Sequence, residues 1–442
     1  MIGLLVVYGL FGAAVIAALF RPIWGLAAFY FFVFLQPEWN WHWSVPADSG
    51  FQKYIFGSLI VGWAIAGFSG NRFQGWFARA NACLVGFLLL SFVSAQQSVT
   101  PELTSVYMDN LWKIVVLSVL TARITDTPGR CFLLFWAIAI GSAYNAFRIN
   151  EEYFQLGFCR YVSVPWGFKG DSNVYSVFTM PAIVASLSLA IFSGKIWQRS
   201  IAGGIVLLQL HQIMLMESRG AMLGIVLIAI VAIFLMPKTT ETICIAVVSG
   251  ILVAVLAGAP VIKEFMSTFE SEEQRDTSAN SRFLLWRAAW KITEDNLLLG
   301  VGPYAVKTVI PQYETEYANE THKAPHNLFL EISAGSGVPS LLLYLCFFLI
   351  PWWRCLRTYR HRFRELGHPE LLGLFAISIM VPGYFLSSSF SSGALLESSY
   401  AIVAIGAGIC ASIDLERASP QLAVEQTIEL TQAGMGHSTD GC

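Results

Sequence analysis

Apolar runs long enough to cross a membrane recur along this 442-residue chain from Ile2 to Cys410. About 20 apolar residues in a helix span the hydrocarbon core of a bilayer. Only 13% of the residues are charged, about half the usual share for a soluble protein. Lipid offers no hydrogen-bond partner to the backbone, so such runs form helices unless they alternate as in a barrel, and here they do not alternate. The sequence therefore predicts an all-α, polytopic membrane protein.

We predict about 12–13 transmembrane helices, each close to the length of a membrane span. The candidate segments are 2–20, 23–35, 54–68, 82–95, 106–121, 131–147, 174–192, 200–216, 221–236, 241–258, 339–353, 371–389 and 394–411. This divides the chain into transmembrane helices over 1–258, one long helical loop over 259–338, further transmembrane helices over 339–411 and a polar tail over 412–442. The tail has little periodicity, and we expect it to be disordered and cytoplasmic.

Lysine and arginine are concentrated in alternate loops, most densely at Arg354–Arg364. Cytoplasmic loops carry an excess of these residues in membrane proteins. The sorting therefore predicts that Arg354–Arg364 is cytoplasmic and that loop 259–338 faces the periplasm or exterior. The net charge of −2 says little about the orientation of the chain, because positive and negative charges are concentrated in different loops.

The chain gives no sign of a metal, a cofactor or nucleic acid. None of its eight cysteines form a CxxC pair, which argues against a disulfide framework, a structural zinc site or a redox pair. Glu38 and Asp48 are not spaced as a metal-binding pair. No strand precedes the short Gly300–Gly302 turn, so it is not a dinucleotide fingerprint.

The segment KAPHNLFLEISAGSGVPS, residues 323–340, joins the long loop to the next apolar run. Pro325 favours a helix start near His326 and Asn327. Histidine ionises near physiological pH, so His326 at this place is a candidate acid or base. The alternative interpretation is an interfacial histidine that hydrogen-bonds to loop carbonyls.

Arg219 lies in the turn Glu217–Gly220 between two apolar segments, at or inside the edge of the bilayer. It could pair with Glu217 or extend its charge to the interface. We favour a functional role, because an arginine at such a depth usually faces protein or a water-filled cavity. His211 and Lys113 lie within apolar segments and are more typical of polar contacts between helices.

The loops contain three further groups of interest. Residues 281–293, SRFLLWRAAWKIT, predict an amphipathic helix that could lie on the membrane, with Arg282 beside its aromatic face. Arg160 and Lys169 are either ordinary surface charges or ligands of an anionic headgroup. Tryptophans in loop 36–53 fit an aromatic belt better than a sugar-stacking surface; they are Trp39, Trp41 and Trp43.

Four stretches resemble the superfamily of O-antigen ligases (WaaL) and Wzy-type polymerases, and in particular the probable O-glycosylation ligases associated with exosortase A systems. These stretches are RPIWGL with FLQPEWNW, ESRGAMLGI, SRFLLWRAAWKITEDNLLLGVGPY and HNLFLEISAGSGVPSLLLYL. His326, Asn327 and Gly337 match the ligase signature. Ser340 departs from it, standing where ligases usually have Gly, Thr or Tyr.

The resemblance implies a glycosyltransferase of the GT-C type in the bacterial inner membrane, with its active site facing the periplasm. Such an enzyme moves a glycan from undecaprenyl diphosphate to an acceptor hydroxyl on a protein or glycolipid, without metal. The implied catalytic residues are His326 as the base and Arg219 and Arg282 at the diphosphate. Asn327 and Gly337 are implied to bind substrate, and we add Arg160 as a weaker phosphate ligand.

Two other functions remain open. A Wzy-type polymerase would use the same site with a second lipid-linked glycan as acceptor. A transporter or flippase would need several ionisable residues along its spans. The apolar segments here are nearly uncharged, which disfavours transport.

Overall fold

The computed structural model describes residues 2–164, 167, 171–240, 277–314 and 322–436, together with residues 242, 243, 247, 250 and 316. All the regular elements within these ranges are helices, so the predicted all-α class is confirmed. Eight of the described helices are long and apolar enough to cross a membrane. The polytopic prediction is confirmed as well.

The helices follow one another along the chain with short connections in most places. The first eight are α1 (Ile2–Phe20), α2 (Pro22–Leu35), α3 (Pro37–Asn40), α4 (Phe51–Ile65), α5 (Gly75–Ala95), α6 (Pro101–Ile124), α7 (Pro128–Leu156) and α8 (Ser172–Phe192). The others are α9 (Ile196–Leu215), α10 (Arg219–Leu235), α11 (Thr277–Asp295), α12 (Val306–Tyr313), α13 (Leu328–Ser336), α14 (Val338–Arg362), α15 (His368–Ser388) and α16 (Glu397–Gly436).

The predicted apolar segments coincide with helices wherever the structure describes them. Segment 241–258 lies largely outside the described residues. Two of the predicted spans, at α2 and α4, form helices of only 14 and 15 residues. The polar tail differs from its prediction, because α16 continues as a helix to Gly436. Its Leu, Ala, Glu and Gln residues are good helix formers, which outweighs the lack of apolar periodicity.

The core is built around α8, α15 and α16. In their most apolar windows, 89%, 83% and 89% of residues are buried, against 17% for α1. These three helices pack against one another, and α15 also packs along α10 and α14. A helix that is apolar on all sides can be surrounded by other helices, as these three are, or by lipid, which suits the exposed α1.

The basic loops meet at one end of the assembly. Arg354 Nη2 lies 2.7 Å from Asp414 Oδ2, and Trp76 Nε1 donates to the same oxygen. Nearby, Asn71 Nδ2 donates to the carbonyl oxygens of Thr125 and Gly408. Three of the alternate basic loops, those that contain Arg72, Arg123 and Arg354, are therefore neighbours in space. Which side of the membrane this end faces stays a prediction.

The described part of the long loop forms a small core of its own at the opposite end. Leu285, Ala289 and Ile292 of α11 are buried against Val306 and Ile310 of α12. Phe283 and Trp290, on the face predicted to lie on the membrane, remain 53% and 57% exposed. The helix therefore uses its small and aliphatic face for internal packing and leaves much of its aromatic face outside.

Candidate active site

His326 lies at a bend that the surrounding residues hold in place. Its φ is 47°, in the left-handed region that non-glycine residues seldom adopt. The Pro325 carbonyl before it accepts a hydrogen bond of 2.9 Å from Trp286 Nε1 of α11. A conformation of this kind persists only where neighbouring contacts determine it, and such positions are concentrated in functional sites.

Asn327 and Gly337 fix the two ends of α13. The Asn327 side-chain oxygen accepts hydrogen bonds from the Phe329 and Leu330 amides, at 3.0 and 3.2 Å. Gly337 has a φ of 88°, and a Cβ there would lie 2.1 Å from the Leu298 carbonyl oxygen. Only glycine permits that approach. Both residues thus hold the segment that carries His326, and any direct contact with substrate stays a prediction.

Charged groups of both signs surround the His326 imidazole. Burial lowers the pKa of His326 below its ordinary value. Asp171 opposes this, whereas Arg282 and Lys323 lower the pKa further. The structure therefore brings the predicted Arg282 within electrostatic range of His326. It also favours the neutral imidazole, which is the form that can accept a proton.

Asp171 and its neighbours connect this site to α10. Asp171 caps α8, because its Oδ1 accepts a 2.9 Å hydrogen bond from the Val174 amide. Two residues later, Asn173 Oδ1 accepts a 2.9 Å hydrogen bond from Ser218 Oγ, immediately before α10. The beginnings of α8, α10 and the His326 segment therefore lie together at one end of the assembly.

Arg219 is the first residue of α10. Its neighbour Gly220 is so close to the end of α15 that a Cβ would lie 2.8 Å from Phe390 Cβ. The Phe390 ring in turn contacts Trp286, with centroids 5.9 Å apart. The backbone at Arg219 is thus joined through Phe390 and Trp286 to the bend at His326. Ser218 makes no side-chain cap to α10, since its hydroxyl bonds to Asn173.

Arg160 lies in a short 3-10 turn after α7 and is strongly paired. Its Nε is 2.5 Å from Glu152 Oε1, and its Nη2 is 2.8 Å from the Tyr161 hydroxyl. Hydrogen bonding to Tyr161 raises the pKa of Arg160, although burial opposes it. The adjacent Cys159 is within electrostatic range of Glu217. The turn is therefore near the start of α10, but its arginine already has a carboxylate partner.

The structure gives internal partners to the two ionisable residues within apolar segments. His211 Nδ1 pairs with Asn150 Oδ1, and Asn150 Nδ2 also donates to the Leu208 carbonyl. Lys113 forms an ion pair of 2.6 Å with Asp109, one turn earlier in α6. Within the described ranges, no group of three His, Cys, Asp or Glu side chains is arranged to hold a metal.

Sequence reasoning missed three charged residues of this region. Asp171 is identifiable as a helix cap, but its approach to His326 depends on the packing of α8 against distant segments. Lys323 lies in the stretch 323–340, but the sequence alone predicts no distinct role for it. Glu331, five residues after His326, is only 8% exposed. The sequence feature that could have drawn attention to it is a single carboxylate in an apolar helical run.

One family model matches the region of the chain that contains most of these residues. The family model described as O-antigen ligase (Wzy_C) matches residues 204–345 of this chain. The match includes Arg219, Arg282, His326, Asn327 and Gly337, and it does not reach Arg160. No curated protein matches the chain. This part of the chain is therefore similar to the O-antigen ligase family, and the match supports an O-antigen ligase-like or polymerase-like membrane function.

Proposed function

We propose that this protein is a membrane glycosyltransferase that transfers a glycan from a lipid diphosphate carrier to an acceptor hydroxyl. The observation that carries the proposal is the meeting of His326, Arg282 and the start of α10 at one end of the helices. These residues supply a neutral base and positive charge together. All of them lie within the segment that matches the O-antigen ligase family.

His326 is the proposed general base. An acceptor hydroxyl is a weak nucleophile until a nearby group takes its proton as the new bond forms. Burial and two neighbouring cations lower the pKa of His326, which keeps its imidazole unprotonated near neutral pH. Asp171 opposes this shift and can favour the imidazolium once the proton has been transferred.

Arg219 and Arg282 are the proposed ligands of the diphosphate. A guanidinium presents a planar fork of donors that fits phosphate oxygens in a bidentate manner, which lysine cannot do. Arg219 also stands at the N-terminus of α10, where the helix dipole already favours an anion. A cation at this end of a helix is unfavourable for helix stability, so binding an anion is a physical reason for its presence.

The proposed reaction needs no further reagent. The acceptor oxygen bonds to the anomeric carbon while the bond from that carbon to the diphosphate oxygen breaks. The hydroxyl proton passes to His326 and then to solvent. The lipid diphosphate leaves with both electrons of the broken bond, and its charge is stabilised by the arginines. Since the diphosphate leaves readily as an anion, we expect transfer to proceed in the presence of EDTA.

The finer assignments rest on the sequence resemblance. We infer an undecaprenyl diphosphate donor, a protein or glycolipid acceptor, an exosortase-associated O-glycosylation role and a periplasmic site in the inner membrane. Arg160 remains a candidate for weaker phosphate contact, provided that Glu152 releases it. A Wzy-type polymerase is the second candidate, because it would use the same base and arginines, and Ser340 departs from the ligase signature.

In vitro transfer distinguishes these functions. Purified full-length protein would be incubated with a lipid-linked glycan, first alone and then with an added hydroxyl-bearing acceptor. A ligase glycosylates the added acceptor and leaves the length of the lipid-linked chains unchanged. Longer lipid-linked chains in the first reaction would identify a polymerase. Absence of any new glycosidic bond in both reactions would refute the proposal.

A further inference from the structure

Glu331 is a buried carboxyl group with no assigned role in the proposed mechanism. It lies on α13 and is 8% exposed. Its Oε2 has no hydrogen-bond partner among the residues that the structure describes. Leaving a buried polar atom unpaired is costly, so an atom of this kind often marks a place for a ligand or an ordered water.

A buried hydroxyl group lies beside this carboxyl. Burial raises the pKa of Glu331, and hydrogen bonding with Ser392, in the connection between α15 and α16, opposes this in part. The net result is a pKa of about 7 for Glu331. The Ser392 hydroxyl is buried and, apart from Glu331, has no hydrogen-bond partner in the described structure. This hydroxyl therefore adds a neutral donor and acceptor to those of the carboxyl.

An aromatic and basic rim joins Glu331 to the surface. Lys307 acts electrostatically on Glu331, and its Nζ lies 3.8 Å from the centre of the Tyr304 ring. The Tyr304 ring stacks on Tyr107, with centroids 6.0 Å apart. Tyr304 and Lys307 are partly exposed, and Tyr304 has a left-handed φ of 66°. The rim therefore offers the aromatic face of Tyr304 beside the buried polar group of Glu331.

The rim is also connected to the His326 segment. The Lys323 amide donates a 3.1 Å hydrogen bond to the Lys307 carbonyl. Lys323 is in turn one of the charges that lower the pKa of His326. A molecule held at Glu331 and Tyr304 would therefore lie beside the proposed catalytic residues.

We propose that Glu331, Ser392, Tyr304 and Lys307 form a cradle for the uncharged hydroxyl groups of a sugar in the glycan. This inference rests on the proposed glycosyl transfer, and it adds a sugar-binding subsite to the candidate active site. A carboxyl and serine hydroxyls can donate and accept hydrogen bonds with sugar hydroxyls, and an aromatic ring can cover an apolar sugar face. A diphosphate fits poorly here, because an ionised carboxylate would repel it.

Binding to two probes tests the cradle without requiring turnover. The probes are the neutral oligosaccharide released from the lipid carrier of the source organism, and inorganic pyrophosphate. Binding to the detergent-solubilised full chain would be followed by tryptophan fluorescence. We expect Glu331→Ala to weaken oligosaccharide binding by about 10-fold to 100-fold, as for loss of a hydrogen bond to a polar ligand, and to leave pyrophosphate binding unchanged.

Matched variants separate binding from folding. Glu331→Gln keeps a donor and an acceptor and should retain most of the oligosaccharide affinity. Ser333→Ala on the same helix removes a hydroxyl that is bonded to Thr293 Oγ1 at 3.1 Å, away from the cradle, and should bind both probes normally. If Glu331→Ala fails to fold, Ser392→Ala decides the question, with an expected loss of about 3-fold to 10-fold.

The cradle is refuted if folded Glu331→Ala, or Ser392→Ala in its place, binds the oligosaccharide as wild type does. It is also refuted if the wild-type chain does not bind the oligosaccharide. Either result leaves the proposed transfer reaction intact when wild type forms glycosidic bonds. Conversely, Glu331-dependent sugar binding by a protein that transfers nothing would support the cradle and refute the reaction.

Discussion

The ionisation of His326 is set by a small number of neighbouring groups. Burial lowers its pKa, and Arg282 and Lys323 act in the same direction, whereas Asp171 raises it. A general base must be unprotonated to act, so its activity falls as the pH drops through its pKa. Under the proposed mechanism, the balance among these neighbours determines how far into acid transfer proceeds.

Removing the Asp171 charge should move the acid limb of the rate profile to lower pH. In Asp171→Asn the pKa of His326 falls, because the group that raises it is gone. Asparagine is also a good helix cap, so the hydrogen bond to the Val174 amide can persist and α8 should stay intact. The measurement is transfer rate against pH for both proteins. A limb that moves to higher pH, or stays in place, contradicts the assignment of His326 as the titrating base.

Geometry rather than charge alone should matter at Arg282. Arg282→Lys keeps the positive charge near His326 but loses the bidentate fork, so we expect turnover to fall by about 10-fold to 100-fold. Arg287, five residues along α11, is the control, since its side chain is 66% exposed and lies 3.7 Å from Glu314. Arg287→Lys should transfer at nearly the wild-type rate. Equal rates in the two variants would show that Arg282 is structural.

The local structure around two of the proposed site residues could be predicted from sequence patterns. Pro325 before a helical run indicated a helix start near His326 and Asn327, and the helix begins at Leu328 with Asn327 as its cap. A charge between two apolar segments drew attention to Arg219, whose role stays a prediction. The roles of Asp171, Lys323 and Glu331 depend on contacts across distant parts of the chain, which local spacing cannot reveal. Glu152 as the partner of Arg160 was missed for the same reason.

At the scale of helices, small residues bring α10 against α15. A Cβ at Gly224 would lie 2.6 Å from Met180 Cε and 2.7 Å from the Gly383 carbonyl oxygen. Gly220 approaches Phe390 in the same way, one turn earlier. Glycines four residues apart allow close helix packing in membranes. Here the pair holds the start of α10, and with it Arg219, at the site.

Enlarging Gly224 should therefore harm both stability and activity. Gly224→Ala places a methyl group against a backbone carbonyl, and overpacking of this kind costs about 1–3 kcal/mol. Gly203 in α9 is the control, because a Cβ there meets nothing within 4 Å. Gly203→Ala should be neutral or slightly stabilising. The measurement is the thermal unfolding temperature in detergent with transfer rate, and an unfolding temperature for Gly224→Ala at or above that of Gly203→Ala would contradict this packing.

Helix existence was easier to predict from sequence than helix environment. Long apolar runs identify spans because lipid and helix cores both require apolar side chains. The same property hides which helices are central, so the burial of α8, α15 and α16 was not predictable from their composition. In α11 the aromatic face was the stronger signal, yet aliphatic and small residues form its buried face.

The whole molecule has two chemically different ends. One end collects the arginines of Arg354–Arg364 with Asp414, and the other carries the candidate site and the described part of the long loop. The positive-inside rule assigns the arginine end to the cytoplasm. On that basis we predict that the candidate site is at the periplasmic face.

Cysteine labelling of intact cells tests this orientation. Lys291 and Arg360 are exposed at opposite ends of the assembly. A membrane-impermeant reagent should modify Lys291→Cys in intact cells and should reach Arg360→Cys only after the membrane is opened. Wild type provides the background from the native cysteines. Labelling of Arg360→Cys in intact cells, with protection of Lys291→Cys, would reverse the orientation and place the site in the cytoplasm.

The most direct measurement of the central claim is the transfer rate of His326→Ala together with its affinity for the lipid-linked donor. His322→Ala is the matched control, because His322 is exposed and four residues earlier in the same segment. Loss of a general base typically lowers the rate by about 100-fold to 10,000-fold. We predict that loss for His326→Ala with donor affinity retained, and near-normal transfer by His322→Ala. Appreciable transfer by His326→Ala would place the base elsewhere, and loss of donor binding would make His326 a phosphate ligand instead of the base.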